Sequence, residues 1–315
     1  MAEERTATLR VGEAVALAHA LLAHLAQEEG VRVLFVKGPT AVAMGARPAR
    51  PSSDVDVLCE PGGAERVGAA LERRGWRRRV PASFTDTLRH AAPLMFEHSV
   101  HYIHDEWPCD LDIHFTFPGF LAPEDVVFDA LWERRTTTPV AHRDVPCADL
   151  LGQAAIVGLH ALRDPGVGHS DADLAFLTGA LRSLGADERE ELARLAAATG
   201  SDRSLRPLLD AVGAPTVDGP WSASADLARW QARAAHGQVP STLWVIELRR
   251  APWARKPLVL WRAVFLPKEV ILAGHVGAEP GRVEMARLRL ARLRRGLQSL
   301  RRAARVARDA TKAAS

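Results

Sequence analysis

Two short segments constrain this chain most: Asp54-Val55-Asp56-Val57-Leu58-Cys59 and Cys109-Asp110-Leu111-Asp112-Ile113-His114-Phe115. Both alternate acidic and apolar residues with period two, the period of a β-strand, whose successive side chains point to opposite faces. Asp54 and Asp56 therefore share a face, with Val55 and Val57 directed at a core. Asp110, Asp112 and His114 share a face over an apolar back of Leu111, Ile113 and Phe115. The two strands thus each carry carboxylates on one side and a core-forming row on the other.

The flanking sequence supplies the other elements. Residues 7–28 place Val11, Val15, Ala18, Leu21, Leu22 and Leu25 at helical spacing before Gly30. A β-branched strand is expected at 32–36, a short helix at 38–45 and a Pro/Arg/Ser loop at 46–53. A further helix should run from 61–62 to about 74, and a strand from 94 to 103. Alternation of helix and strand is expected to stop near residue 118. Helices follow at 123–134, 147–163, 171–184, 187–198, 204–212, 222–236, 241–250 and 281–310. The expected fold class is α+β: an N-terminal mixed sheet with helices over residues 1–140, then an all-helical domain over 141–315.

Composition narrows the function. Over 315 residues, 47% are hydrophobic and 25% charged, the make-up of a globular protein with a full core. Aromatics are 6% with one Tyr, which argues against a tyrosine-rich stacking surface for single-stranded nucleic acid. Three cysteines without a CxxC give neither a disulfide framework nor a zinc site. The first residues carry no basic-then-apolar leader, and Pro257–Val276 is too short and too charged to span a bilayer. A reducing cytoplasm is the expected compartment. The net charge of +3 hides a split. Residues 281–315 hold eleven basic against two acidic residues, net +9, and residues 1–280 hold thirty against thirty-six, net −6. Only four lysines occur, so Lys37 stands out.

Two carboxylates side by side on a strand repel unless a cation or proton lies between them. Hard oxygen ligands from two adjacent strands suit Mg²⁺, and two such ions can hold nucleotide phosphates and activate an attacking hydroxyl. His98, His101 and His104 do not share a strand face, which argues against a metal cluster there, and His160 reads as buried structure.

The segments Phe35-Val36-Lys37-Gly38-Pro39-Thr40, Arg50-Pro51-Ser52-Ser53-Asp54-Val55-Asp56-Val57-Leu58 and Leu111-Asp112-Ile113-His114 resemble the polymerase-β-like nucleotidyltransferase superfamily. The nearest pattern is that of its bacterial uncharacterised nucleotidyltransferase family, which reads Leu-Lys-Gly, Arg-Pro-x-Ser-Asp-Ile-Asp-Leu-Leu and Val-Asp-Leu-His. The resemblance spans residues 30–117 and continues loosely through 152–160 and 264–267. It implies a nucleotidyltransferase core whose metal-binding and catalytic carboxylates are Asp54, Asp56 and Asp112, with Asp110 behind them. It also implies Mg²⁺, two ions, and a nucleoside triphosphate as co-substrate. The chain departs from the wider superfamily in having Lys37-Gly38 in place of Gly-Ser or Gly-Gly, and a longer gap to Asp54.

Around that triad several residues have two readings. Gly38 lets backbone approach a phosphate or simply turns strand into helix. Lys37 and Arg50 neutralise triphosphate charge, or Lys37 pairs with a carboxylate and Arg50 caps the loop. Ser53 donates to phosphate or stabilises the turn. His114 orients Asp112, touches substrate, acts as a base or is a satisfied structural histidine.

The expected reaction is transfer of a nucleoside monophosphate to a hydroxyl-type acceptor: a small molecule, a peptide or protein side chain, or RNA. Two other readings are a non-catalytic nucleotide- or partner-binding module on the same fold, and a toxin-like enzyme acting on tRNA. The basic helix at 281–310 either packs on the body with a solvated Arg face or contacts RNA or an anionic membrane. Having no Trp or Phe after residue 265, it supports membrane insertion least.

Overall fold

A computed structural model of the chain describes residues 9–79, 98–166, 168–221, 251–266 and 280–312, with isolated positions between 227 and 271. Its centre is a seven-stranded mixed sheet in the order β3-β4-β5-β2-β1-β7-β6. The strands are β1 (Val33–Val36), β2 (Asp54–Cys59), β3 (Arg77–Arg78), β4 (Ser99–His104), β5 (Trp107–His114), β6 (Thr136–Val140) and β7 (Arg143–Cys147). The helices are α1 (Val11–Glu28), α2 (Gly38–Ala43), α3 (Gly63–Glu72), α4 (Glu124–Glu133), α5 (Leu150–Arg163), α6 (Gly168–Arg182), α7 (Ala186–Ala198), α8 (Arg206–Val212), α9 (Lys256–Val264) and α10 (Arg282–Lys312). The fold is the expected α+β class. The sheet and α1 to α8 fall in one compact unit, and α9 and α10 in a second.

The period-two reading fixes where the core sits. Val55, Val57 and Cys59 of β2 join Leu111 and Ile113 of β5, Val33 and Phe35 of β1, and the apolar faces of α1 and α3 in one buried cluster. Burying these rows drives the layer together, since each fully buried Val, Leu, Ile or Phe contributes about 1.5–3 kcal/mol. The opposite face of β2 and β5 is thereby committed to the carboxylates.

The expectation that strands end near residue 118 is wrong. Thr136–Val140 and Arg143–Cys147 form a hairpin whose second strand pairs in parallel with β1, Phe35 opposite Cys147. Its two-residue turn is Ala141-His142, with φ of +49° and +59°. Such turns favour Asn-Gly because both positions need positive φ, so the sequence carries no turn signal. The strand expected at 94–103 is described only from Ser99, and residues 80–97 lie outside the described part. Most of the helices expected at 222–236 and 241–250 also lie outside it.

Candidate active site

Strand register builds the site. β2 and β5 are parallel neighbours, with Asp54 opposite Asp110, Asp56 opposite Asp112 and Leu58 opposite His114. The two carboxylate faces are therefore one face. Asp56 and Asp112 stand side by side and are buried, at 6% and 8% exposure. Asp54 is half-buried, one rung along beside Asp110.

Two cations of the chain already occupy this carboxylate pair. Lys37 Nζ donates to Asp56 Oδ1 at 2.6 Å. The Nε2 of His114, itself 1% exposed, lies 2.9 Å from Asp56 Oδ1 and 3.3 Å from Asp112 Oδ2. The ring stacks on Phe117 at 4.1 Å between centroids. His101 Nδ1 is 3.6 Å from Asp112 Oδ1. Burial by itself would raise the pKa of both aspartates. Lys37 and His114 overcome it at Asp56 and hold that group at about 2. His114 and His101 bring Asp112 well below the ordinary range. Asp54 moves the other way, because burial and the neighbouring Asp56 raise it. Burial pushes His114 down, but Asp112 and Asp56 outweigh that and raise it above 6.5.

The signs follow. A histidine raised in the folded state contributes stability below its unfolded value, which is lost as pH climbs through the raised value. A lowered Asp56 contributes stability above its unfolded value, which is lost as pH falls toward about 2. Asp54, being raised, opposes Asp56 on the acid side. Metal-free protein should therefore lose melting temperature on the alkaline side through titration of His114. His114→Gln should flatten that limb in melts followed from pH 5 to 9, and an unchanged limb would remove His114 from the charge balance.

Lys37 reaches Asp56 through an unusual turn. Its φ is +55°, and that of Gly38 is +43°, a conformation costly for a residue with a side chain. A Cβ on Gly38 would come within 3.2 Å of Ser52 Oγ. Gln153 of α5, fully buried, holds the turn. Its Oε1 accepts from Lys37 N–H at 2.9 Å, and its Nε2 donates to Phe35 O and Thr40 Oγ1, each at 3.1 Å. Gln153→Ala should strand these partners at about 1–3 kcal/mol each. Denaturant melts should show that loss, and a variant as stable as wild type would mean the turn holds itself.

Arg50 does not meet the carboxylates of the sheet. Both prongs of its guanidinium lie on Asp173 of α6, at 2.5 and 2.7 Å. Arg47 of the same loop also faces Asp173, its Nε 3.9 Å away; burial and the neighbouring Arg50 lower its pKa, with Asp173, Asp54 and Asp56 opposing them, and its buried Nε donates no hydrogen bond among the described residues. Ser53 is exposed and its carbonyl accepts from Asp110 N–H at 3.3 Å, while the neighbouring Ser52 is buried beside Arg47. Gln153, Arg47, Ser52 and Asp173 were not legible as site residues. Arg47 and Ser52 do stand in the same loop, three places from Arg50 and one place from Ser53.

The paired carboxylates of Asp56 and Asp112 supply the oxygen donors that suit a hard divalent cation, with His114 beside them. Ligand atoms of Asp56, Asp112 and His114 all lie within 4.8 Å of one another, and the buried Oδ1 of Asp112 accepts no hydrogen bond among the described residues.

The chain belongs to the uncharacterised nucleotidyltransferase family, whose model matches residues 2–209. The chain is also similar to a solved antigenic nucleotidyltransferase-like protein from Paracoccidioides brasiliensis, at 14% identity and a TM-score of 0.37, over 65% of this chain and 95% of that one. No curated protein matches the sequence. No helix among the described residues is long and apolar enough to cross a membrane.

Proposed function

We propose that the chain is a Mg²⁺-dependent nucleotidyltransferase that moves a nucleoside monophosphate from a nucleoside triphosphate to a hydroxyl acceptor in the cytoplasm, releasing pyrophosphate. The observation that carries this reading is the register setting Asp56 beside Asp112, with Asp54 one rung away. These three carboxylates would hold the ions, which when bound would neutralise phosphate charge and lower the acceptor hydroxyl's pKa.

The chain's own groups do the rest. Lys37, whose ammonium lies on Asp56, would supply the positive charge nearest the triphosphate. Arg47, whose Nε lies 3.9 Å from Asp173 without a hydrogen bond, provides a second phosphate contact. Arg50 has only its remaining N–H to offer while Asp173 holds both prongs. Gly38 keeps the approach to the turn clear, Ser52 lines it, and Ser53 stands at the loop rim. His114, with Nε2 against Asp56 and Asp112, keeps both carboxylates oriented.

The second reading, a binding module without catalysis, draws on one observation: Lys37 and His114 already neutralise the aspartates without an ion. Incubating the pure chain with each α-³²P nucleotide, Mg²⁺, and small-molecule extract, protein or total RNA tests the choice. Pyrophosphate release with label on one acceptor class supports transfer and names the class, tRNA included. Nucleotide binding without release supports the module.

A further inference from the structure

We infer that the second compact unit is a peripheral docking face for an anionic lipid surface, with α9 and the outer row of α10 lying in the membrane interface. The inference does not rest on the transferase reading, and its residues fall outside the family match, which ends at 209.

Helix α10 has two apolar rows. Met285, Leu288, Gly296, Ser299 and Ala303 are half-buried or buried, and Gly296 and Ser299 hydrogen-bond with Ser241 of the same unit. On another side Val283, Leu290 and Leu297 repeat every seven residues at 68, 68 and 71% exposure, with Leu300 at 46%. Arg287, Arg294 and Arg301 follow each of the first three by four residues and are exposed beside them. A helix that already buries one row has no need of a second, and α10 leaves this one in water.

Residues 253–265 supply the aromatic anchors that α10 lacks. Trp253, Trp261 and Phe265 are 84, 58 and 56% exposed, with Leu258 and Leu260 also outward. They alternate with Arg255, Lys256 and Arg262, and no acidic residue occurs from 251 to 266. Lys256 Nζ sits 3.7 Å over the Trp253 ring. The two helices are joined, since Arg292 of α10 donates to the Ala263 carbonyl of α9 at 2.7 Å.

Charge and apolar content together select the occupant. A second copy seated on the Val283–Leu300 row would bring Arg287, Arg294 and Arg301 against the same arginines, a repulsion across the flanking positions. RNA would satisfy the arginines and stack on Trp253 and Trp261, but it leaves the exposed aliphatic row of Val283, Leu290 and Leu297 without a partner. An anionic bilayer matches both: headgroup phosphates for the Arg and Lys side chains, the acyl boundary for Val and Leu, and the interface for Trp and Phe.

The test uses the full chain with vesicles of phosphatidylcholine alone or mixed with phosphatidylglycerol, read by co-sedimentation and tryptophan emission. Binding to the mixed vesicles with a blue shift is expected, and little binding to the neutral ones. Leu290→Gln with Leu297→Gln, both exposed and charge-preserving, should weaken binding about tenfold or more. Arg287→Gln, Arg294→Gln and Arg301→Gln together should weaken it about a hundredfold. Three results would each overturn the inference: no binding to mixed vesicles, binding to them that is indifferent to the leucine pair, or RNA binding or leucine-dependent self-association in its place.

Discussion

Asp56→Asn and Asp112→Asn should each fold and each lose pyrophosphate release by about a thousandfold or more, a loss of roughly 4 kcal/mol of transition-state stabilisation. Asn keeps the volume of the side chain and removes the charge on which ion binding depends. The same variants should lose the rise in melting temperature that Mg²⁺ with nucleotide gives the wild type by ligand linkage. Asp110→Asn should do much less, because Asp110 faces Asp54, one rung from the pair. The stability effect differs from what carboxylate crowding alone implies. Without metal, Asp56 is held by Lys37 and His114, so Asp56→Asn removes charged hydrogen bonds and should cost about 1.5–3 kcal/mol. Melting scans with and without Mg²⁺ and nucleotide, beside a pyrophosphate assay, separate the two effects. Wild-type turnover in either variant would end the transferase reading.

The second large effect lies away from the carboxylate pair. Asp173→Ala should destabilise the chain by about 3–5 kcal/mol, the cost of breaking a buried pair from one side. Asp173 is 4% exposed and takes both prongs of Arg50, with Arg47 Nε at 3.9 Å. Removing it leaves two guanidinium groups without their carboxylate in the loop that leads into Asp54. Arg50→Ala should cost less, since Arg47 still faces Asp173. The double variant should recover part of the loss, a coupling visible in a double-mutant cycle. Urea denaturation reads all three, and an Asp173→Ala chain within about 0.5 kcal/mol of wild type would show that the pair is incidental.

The strand pattern made the central layer legible. Period-two alternation located β2 at its observed bounds, placed Val55, Val57, Leu111 and Ile113 in the core, and put each acidic row on a single face. What alternation cannot express is register. Nothing in either segment says that Asp56 meets Asp112 and not Asp110, because that pairing is set by where two strands come into line, with partners 56 residues apart. The same limit hid the ion pairs. Lys37 was legible as a cation of interest, with pairing to a carboxylate as one of its two readings, and it pairs with Asp56. Arg50 looked equally suited to phosphate, yet its partner Asp173 lies 123 residues on. Gln153 sits in a helix with apolar neighbours, and its role depends wholly on a turn 116 residues earlier. The β6–β7 hairpin was missed for a local reason, an Ala-His turn where glycine would have announced it.

The most direct measurement is a calorimetric titration of Mg²⁺ into the chain in the presence of a non-hydrolysable α,β-methylene triphosphate, for wild type, Asp56→Asn and Asp112→Asn. Wild type should show saturable heat beyond that of Mg²⁺ binding to the same nucleotide without protein, and both variants should match the protein-free titration. Mg²⁺ binding of wild-type affinity in both variants would contradict the assignment of the paired carboxylates as the metal site.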